Sequence, residues 1–197
     1  MSTSNGALVV CGIAGSLRQG SYNRALLQAA QELAPEGVEV RIFDRMAEIP
    51  LFNQDVEAGG DPEPVQALKQ AIGEADALLI ATPEYNHGVP GVLKNAIDWA
   101  SRPPRGSVLA GKPAAIFGAS PGITGTARAQ SQLRQAFVFT QTPALLQPEI
   151  LVYRAPEKFD EQGRLTDEKT REFVGKLLRE LANWTRRLRL EPEVERQ

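Results

Sequence analysis

The chain has 197 residues, of which 42% are apolar and 23% are charged, and its formal net charge is −2. This composition is ordinary for a globular protein, and the length suits one domain with a substantial core, so we expect a single domain over residues 1–197. The nearly neutral charge gives no electrostatic reason to expect nucleic acid or an anionic membrane as a partner. No apolar stretch approaches the roughly 20 residues that span a bilayer.

The sequence contains one cysteine, Cys11, so the chain forms no intramolecular disulfide, which fits a reducing compartment. Residues 1–6 lack the basic and then apolar regions of a secretory signal peptide. We therefore expect a cytoplasmic protein, without a membrane or nucleic-acid partner and without a bound metal.

Strand-like and helix-like segments alternate through the first half of the chain. Residues 7–13 are apolar throughout, which is typical of a strand buried on both faces. Residues 26–33 carry apolar side chains at helical spacing, and a Pro-Glu-Gly sequence ends that helix. Residues 38–42 alternate between apolar and polar, which indicates a second strand, and residues 45–60 form a long connection without a clear period.

The same alternation continues after this connection. Asp61 and Pro62 predict a helix start, with Asp61 as the N-cap. Further strands are predicted at residues 77–81 and 113–118 and within residues 144–152.

Three more helices with apolar faces are predicted in the second half. The first begins after Pro90-Gly91, the second covers residues 129–140, and the third has Thr166 as its N-cap. The third helix carries the following apolar side chains at helical spacing: Phe173, Leu177, Leu181, Trp184 and Leu188. A polar tail follows from about residue 191. Strands and helices in alternation predict a parallel sheet covered on both faces, and right-handed crossovers then make a doubly wound α/β domain.

The first strand is followed directly by the segment Gly15-Ser16-Leu17-Arg18-Gln19-Gly20-Ser21-Tyr22-Asn23. Backbone N–H groups at a helix start attract an anion, because the helix dipole is positive there. Neutral donors on Ser16, Ser21 and Asn23 accompany the fixed charge of Arg18, whose geometry suits phosphate. The alternative is a plain helix start, with Ser21 as N-cap and solvated polar neighbours. The segment is neither a P-loop nor the glycine fingerprint of dinucleotide-binding folds.

The third strand is followed directly by Pro83-Glu84-Tyr85-Asn86-His87-Gly88-Val89-Pro90-Gly91. Two prolines and two glycines set an irregular backbone path, which exposes N–H and C=O groups that a helix would consume. The edge of an isoalloxazine needs such alternating donors and acceptors. Tyr85 is expected to pack on a flat ring, and Asn86 to bond its edge or to brace the loop. The alternative is a plain strand–helix turn with Tyr85 as a surface aromatic.

Both segments follow the carboxyl ends of predicted parallel strands, where open α/β sheets bind their ligands. One segment suits a phosphate, and the other suits a flat polar ring. Together they predict a bound mononucleotide, with FMN as the best candidate.

The two segments also resemble the signatures of a known family. Gly15-Ser-Leu-Arg-x-x-Ser-x-Asn23 and Pro83-Glu-Tyr-Asn-x-x-x-Pro-Gly-x-Leu-Lys-Asn-Ala-Ile-Asp-Trp99 are similar to those of the NADPH-dependent FMN reductase family. The resemblance runs from about residue 7 to residue 149. That family includes quinone, chromate and azo-dye reductases. The resemblance implies a flavodoxin-like α/β domain, whose five-stranded parallel sheet has the order 2-1-3-4-5 and helices on both faces.

The resemblance also implies which residues bind the cofactor. The FMN phosphate is expected on the first segment, which contributes Ser16, Leu17, Arg18, Gly20, Ser21, Tyr22 and Asn23. The isoalloxazine is expected along the second segment, which contributes Pro83, Glu84, Tyr85 and Asn86. A third loop, with Ser120 and Gly122, is expected to close the other side of the flavin.

The function implied is that of an FMN-dependent enzyme that oxidises NADPH or NADH and reduces a second small molecule. Hydride would pass to the flavin, the oxidised nicotinamide would leave, and the acceptor would take its place, which is a ping-pong scheme. The expected acceptors are quinones, free flavin, azo compounds and oxidising metal ions such as chromate. The alternatives are a flavodoxin-type electron carrier and a regulatory flavoprotein without significant turnover. Arg18 and the nearly neutral net charge argue against the electron carrier.

Three other polar residues are not expected to take part in catalysis. His87 is the sole histidine and adjoins the second segment, but a flavin takes and releases hydride without a protein base. We therefore expect no catalytic side chain. Cys11 is expected to be a small core residue. Asp44 stands where dinucleotide-binding folds place a ribose ligand, but the glycine fingerprint is absent and a loop role is expected.

A homodimer or a dimer of dimers is also expected. In the helix after Pro90-Gly91, Val92 and Trp99 extend the apolar surface beyond the face that covers the sheet, and exposed apolar patches mark interfaces. The resemblance points the same way, because members of the family commonly pair through this helix. Residues 45–60 would then reach over the partner's flavin.

Overall fold

In a computed structural model of the chain, the structure describes residues 7–190. The predicted polar tail from residue 191 lies outside the described residues. Within them, five parallel strands form one sheet in the order β2-β1-β3-β4-β5, which confirms the predicted order. The strands are β1 (Leu8–Ala14), β2 (Val38–Phe43), β3 (Ala77–Ala81), β4 (Ala114–Ala119) and β5 (Ile150–Val152).

Six α-helices accompany the sheet in the described part of the chain. They are α1 (Tyr22–Glu32), α2 (Gln54–Ala58), α3 (Glu63–Glu74), α4 (Gly91–Ala100), α5 (Ala127–Thr140) and α6 (Glu168–Leu190). Buried side chains of α1 and α6 pack on one face of the sheet, and those of α3, α4 and α5 pack on the other. Between residues 7 and 190, no helix has the length and apolar character that a membrane crossing requires.

The predicted start of α3 is wrong by one position. Pro62 takes the cap position in an extended conformation and offers no side-chain hydrogen bond. The Asp61 carboxylate lies one residue too early, and it accepts a hydrogen bond from Lys69 Nζ at 2.6 Å instead. The connection before this helix also contains α2, a one-turn helix that was not predicted because no periodic pattern shows in five residues.

The start and the buried face of α6 also differ from the prediction. Asp167, not Thr166, caps the helix: its Oδ2 accepts the backbone N–H of Thr170 at 3.0 Å. Phe173 is 40% exposed and Trp184 is half-buried, so neither belongs to the fully buried face of the helix. The residues of α6 that are buried are Val174, Gly175, Leu177, Leu178, Leu181, Ala182 and Thr185.

The expectation that Trp99 extends an apolar surface on α4 is wrong. Its side chain is fully buried, its Nε1 donates to Pro50 O at 2.8 Å, and the Phe52 ring packs edge-on against it at 5.0 Å. The Asn95 amide joins the same contact, because its Oδ1 accepts the N–H of Phe52 and its Nδ2 donates to Pro50 O. The connection between β2 and α3 therefore folds back over α4 within the same chain.

Replacing Trp99 by phenylalanine should destabilise the protein, because it removes the hydrogen bond to Pro50 and leaves space beside Phe52. We expect the free energy of unfolding to fall by about 1–3 kcal/mol in urea denaturation. The control is Tyr153→Phe at a side chain that is 51% exposed, for which the change should stay within about 0.5 kcal/mol. Equal stability of Trp99→Phe and the wild type would contradict the described packing.

Candidate functional site

Three loops meet at the carboxyl edge of the sheet. We call them the first loop (residues 15–21, after β1), the second loop (residues 82–90, after β3) and the third loop (residues 120–126, after β4). The strands β1 and β3 are neighbours, but the helices that follow them lie on opposite faces of the sheet. Because the chain leaves the two strands in opposite directions, a space opens between the first and second loops.

The first loop ends in a capped helix. Ser21 Oγ accepts the backbone N–H groups of Asn23 and Arg24 at 3.2 and 3.4 Å, which makes Ser21 the N-cap of α1. The buried amide of Asn23 points to β4, where Nδ2 donates to Ala119 O and Oδ1 accepts from Ala119 N, both at 2.9 Å. Asn23 therefore fastens the start of α1 to the beginning of the third loop.

Arg18 is the charged group of the first loop. It is exposed, and it forms no ion pair with any residue between positions 7 and 190. Its guanidinium carbon lies 5.4 Å from the centroid of the Tyr22 ring. Two glycines keep the loop compact: a Cβ on Gly20 would lie 3.2 Å from Arg18 Nη1, and one on Gly15 would lie 3.0 Å from Leu93 Cδ2. The loop thus offers a cation that no other described residue neutralises.

The second loop turns sharply at its centre. Asn86 and His87 have φ angles of +50° and +63°, and Tyr85 and Gly88 exchange backbone N–H···O bonds of 3.2 and 3.0 Å across them. Two consecutive positive φ angles are typical of the type I′ turn, in which asparagine is favoured. The turn leaves Tyr85 52% exposed, with its hydroxyl oxygen 3.4 Å from Ser16 Oγ on the first loop.

Glu84 joins the second loop to α5. Its side chain is only 7% exposed, and Oε2 accepts the backbone N–H groups of Arg128 and Ala129 at 2.9 and 3.1 Å. Thr126, the N-cap of α5 by position, makes no side-chain cap bond. Glu84 therefore caps α5 from 44 residues away in sequence, a role that no local sequence signal indicates.

A second residue of α5 that the sequence analysis missed also holds the second loop. Gln132 Oε1 accepts the N–H of Val89 at 3.0 Å. A Cβ on Gly88 would lie 2.9 Å from the same oxygen, so the glycine leaves room for this amide. No pattern in the sequence connects Gln132 to residues 43 positions earlier.

The third loop is anchored through backbone groups. Ser120 N donates to Val152 O at 2.9 Å, and Ser120 Oγ accepts the N–H of Gly122 at 3.2 Å. Just before the loop, a Cβ on Gly118 would lie 2.2 Å from Thr82 O, so a side chain there would displace the backbone of the second loop. This close approach keeps the second and third loops side by side.

The predicted site residues therefore lie at one edge of the sheet, but they do not all face the same space. Ser16, Arg18 and Ser21 surround the start of α1, and Leu17 is 46% exposed beside them. The side chains of Asn23 and Glu84 are engaged in structural hydrogen bonds. Two further members, Pro83 and Tyr22, are buried and half-buried respectively, whereas Asn86 and Gly122 are exposed.

The groups at the start of α1 fit a phosphate. Hydroxyl groups, backbone N–H groups at a helix start and an unneutralised arginine are the donors that bind phosphate in proteins. A cavity of about 440 Å³ lies away from the three loops, beside β5 and the start of α6. Two of its charged side chains, Lys158 and Asp167, already pair with each other at 2.7 Å.

The three polar residues that were expected to be inert lie as follows. Cys11 is 2% exposed, and burial raises the pKa of its thiol to about 12, so it stays protonated and is confirmed as a core residue. Asp44 is exposed in the loop after β2. His87 is exposed at the turn of the second loop and forms no side-chain hydrogen bond within the described range 7–190.

Comparison with known proteins identifies the family of the chain. Residues 8–157 match the family model of NADPH-dependent FMN reductase. An NAD(P)H-dependent FMN reductase of Pseudomonas aeruginosa is 54% identical over 180 residues, which cover 91% of this chain and 96% of that protein. A 2-hydroxy-1,4-benzoquinone reductase of a Burkholderia species is 42% identical over 180 residues, covering 91% of this chain and 97% of that protein.

A solved structure shows the same fold. The flavoenzyme NAD(P)H:(acceptor) oxidoreductase of Paracoccus denitrificans superposes with a TM-score of 0.83 at 37% identity, covering 92% of this chain and 98% of that one. The fold is therefore flavodoxin-like, as its strand order indicates. With the matched family model, these similarities show that the chain belongs to the NADPH-dependent FMN reductase family, whose enzymes use FMN and take electrons from NAD(P)H.

Proposed function

We propose that the three loops hold FMN with its phosphate at the start of α1 and its isoalloxazine between the second and third loops. The observation that carries this proposal is the charge of Arg18, which has no ion-pair partner among residues 7–190, in the same loop as the hydroxyls of Ser16 and Ser21. A phosphate dianion there would accept hydrogen bonds from the helix start and neutralise Arg18. Asn23 would not contact the phosphate but would hold the helix start against β4.

The ring would be held mainly by backbone groups. At the tight turn, the backbone groups of Asn86 and His87 make no backbone hydrogen bond among the described residues, and Tyr85 contributes an exposed aromatic face. Glu84 and Gln132 would keep this loop at a set distance from α5. When bound, FMN supplies the redox chemistry by taking a hydride equivalent from NADPH or NADH and passing electrons on. The protein residues bind and orient the ring and limit access of water, and none is needed as an acid or base.

The acceptor would be an oxidising small molecule. The Burkholderia relative is named for a benzoquinone, and we propose quinones as the first class to test on this chain. Free flavin, azo compounds and chromate are further candidates, which the resemblance suggests. Nicotinamide and acceptor would use the same place against the ring in turn, which predicts ping-pong kinetics. A cytoplasmic location stays a prediction.

Steady-state oxidation of NADPH and NADH with a benzoquinone tests this proposal. Double-reciprocal plots at several quinone concentrations should give parallel lines. Intersecting lines would show that both substrates bind together and would rule out the ping-pong scheme. Flavin that is reduced by NAD(P)H but passes no electrons to any acceptor in turnover would favour the regulatory flavoprotein instead.

Arg18→Ala tests the phosphate site. Loss of the charge-assisted hydrogen bonds should weaken FMN binding to the apoprotein by roughly 1.5–3 kcal/mol. Riboflavin lacks the phosphate, and its affinity should change much less. Flavin fluorescence titration measures both, and equal losses for the two ligands would refute the assignment.

His87→Ala tests the absence of a protein acid or base. His87 is exposed, and the variant should reduce the bound flavin within about tenfold of the wild-type rate in single-turnover stopped flow. Loss of a general acid or base typically costs ~10²–10⁴-fold. A thousandfold decrease with FMN still bound would show that the side chain takes part in the chemistry.

We also propose that the active form is a homodimer or a dimer of dimers. Trp99 gives no support to this proposal because it is buried, but Leu51 does. Leu51 is 83% exposed and lies on the connection that packs over α4 through Phe52. An exposed leucine on this connection is a candidate contact with a second copy.

Leu51→Asp should weaken this association and lower activity together, because a carboxylate there would be desolvated at the interface. Leu190→Asp is the matched control, since Leu190 is also 83% exposed but belongs to α6 on the opposite face of the sheet. Light scattering at micromolar concentration gives the molecular mass. A wild-type monomer with full activity would exclude an active site that needs a second copy of the chain.

A further inference from the structure

The segment between β5 and α6 contains a hairpin that the site description has not used. Phe159 and Leu165 form an antiparallel bridge, and Thr166 N donates to Lys158 O at 3.0 Å. Phe159 and Leu165 are 8% and 3% exposed, and both belong to the core on the α1 and α6 side of the sheet. We call residues 158–167 the hairpin.

The hairpin contacts the first residue of α1 through an aromatic pair. The rings of Phe159 and Tyr22 have centroids 5.2 Å apart and an interplanar angle of 42°. The same Tyr22 ring has the Arg18 guanidinium 5.4 Å from its centroid. Three side chains thus form a continuous stack from the hairpin to the charge of the first loop.

The stack restricts a side chain that would otherwise be free. Arg18 is exposed and has no carboxylate partner in the described region, so the Tyr22 ring is the contact that the structure gives its guanidinium. Gly20 leaves room on another side, since a Cβ there would lie 3.2 Å from Arg18 Nη1. A long side chain loses rotamer entropy when it binds a ligand. A guanidinium that is already held over an aromatic ring has lost part of this rotamer entropy before the ligand binds.

We propose that Phe159 is a positioning residue for the phosphate site: the hairpin holds the Tyr22 ring, and the ring holds Arg18 where a phosphate binds. The inference rests on the proposed phosphate role of Arg18. It assigns to the hairpin a specific effect on ligands that carry a phosphate. By linkage, a phosphate-bearing ligand should in turn stabilise the hairpin.

The first test compares two substitutions at Phe159 with two ligands. Phe159→Leu keeps an apolar side chain but removes the ring, and Phe159→Tyr keeps the ring. For Phe159→Leu, the dissociation constant of FMN should rise by about two- to fivefold, that of riboflavin should not change, and Phe159→Tyr should restore the wild-type FMN value. Equal weakening for FMN and riboflavin, or no change for either, would overturn the proposal. Leu165→Val keeps the Phe159 and Tyr22 rings but loosens the hairpin, so by the same linkage it should weaken FMN relative to riboflavin, and less than Phe159→Leu does.

A double-mutant cycle with Arg18→Gln separates this inference from the proposed function. If Phe159 acts through Arg18, Phe159→Leu should have no further effect on FMN affinity in the Arg18→Gln background. The same fold-change in both backgrounds would show that Phe159 acts in another way. If Arg18→Gln alone leaves FMN affinity unchanged, the phosphate assignment itself fails. If Arg18→Gln weakens FMN and Phe159→Leu does not, only the positioning role fails.

Hydrogen exchange on the wild-type protein gives a test that needs no variant and stands even if Phe159→Leu does not fold. The N–H groups of Asp160 and Thr166 donate to Arg164 O and Lys158 O within the hairpin, so their exchange reports its opening. At matched saturation, FMN should slow their exchange more than riboflavin does. Equal protection by the two ligands would show that the hairpin does not sense the phosphate.

Discussion

Parallel strands all end at one edge of a sheet, and here their order reverses between β1 and β3. The chain must leave these neighbours in opposite directions, toward α1 on one face and α4 on the other. The first and second loops therefore diverge, and the first loop ends at the start of α1, where the helix dipole attracts anions. The space between the loops and the position of the helix start are consequences of that reversal.

Long-range hydrogen bonds between side chain and backbone convert three separate loops into one site. Asn23 joins α1 to β4, and Glu84 joins the second loop to α5. Each of these groups is buried or nearly so, and an unpaired buried amide or carboxylate is costly, so the contacts hold the loops in one arrangement. Arg18 stays exposed and has no ion-pair partner among residues 7–190, so its charge is one that a ligand can neutralise. A site prepared in this way loses less entropy on binding than a set of free loops would.

The connection between β2 and α3 illustrates how one contact changes an interpretation. Trp99 would be an exposed anchor for a second copy if that connection stayed in solvent. Instead, the carbonyl of Pro50 accepts the indole N–H and the amide of Asn95, and Phe52 covers the ring. The aromatic side chain of this connection, Phe52, therefore packs within its own chain, and Leu51 is exposed to solvent.

The sequence by itself determined the strands, their alternation with helices and the two segments of the candidate site. Continuous apolar runs such as residues 77–81 and 113–118 are local signals, because a strand buried on both faces needs no polar side chain. The resemblance between residues 15–99 and the family signatures supplied the strand order and the cofactor. Both kinds of signal lie within short stretches of chain, and the structure and the comparisons confirm the fold and the family.

Only the tertiary structure decided what individual side chains do. Glu84 stands in a motif that suggests a flavin ligand, and in the structure its carboxylate caps a helix 44 residues away. The sequence predicts that Trp99 is an exposed apolar residue, but its side chain is fully buried. The position of Phe159 against Tyr22 has no local signal at all. Each of these contacts joins residues far apart in sequence, and its partner is set by how the loops and helices pack. Periodicity and motif spacing report neighbours along the chain, so they carry no information about such pairs.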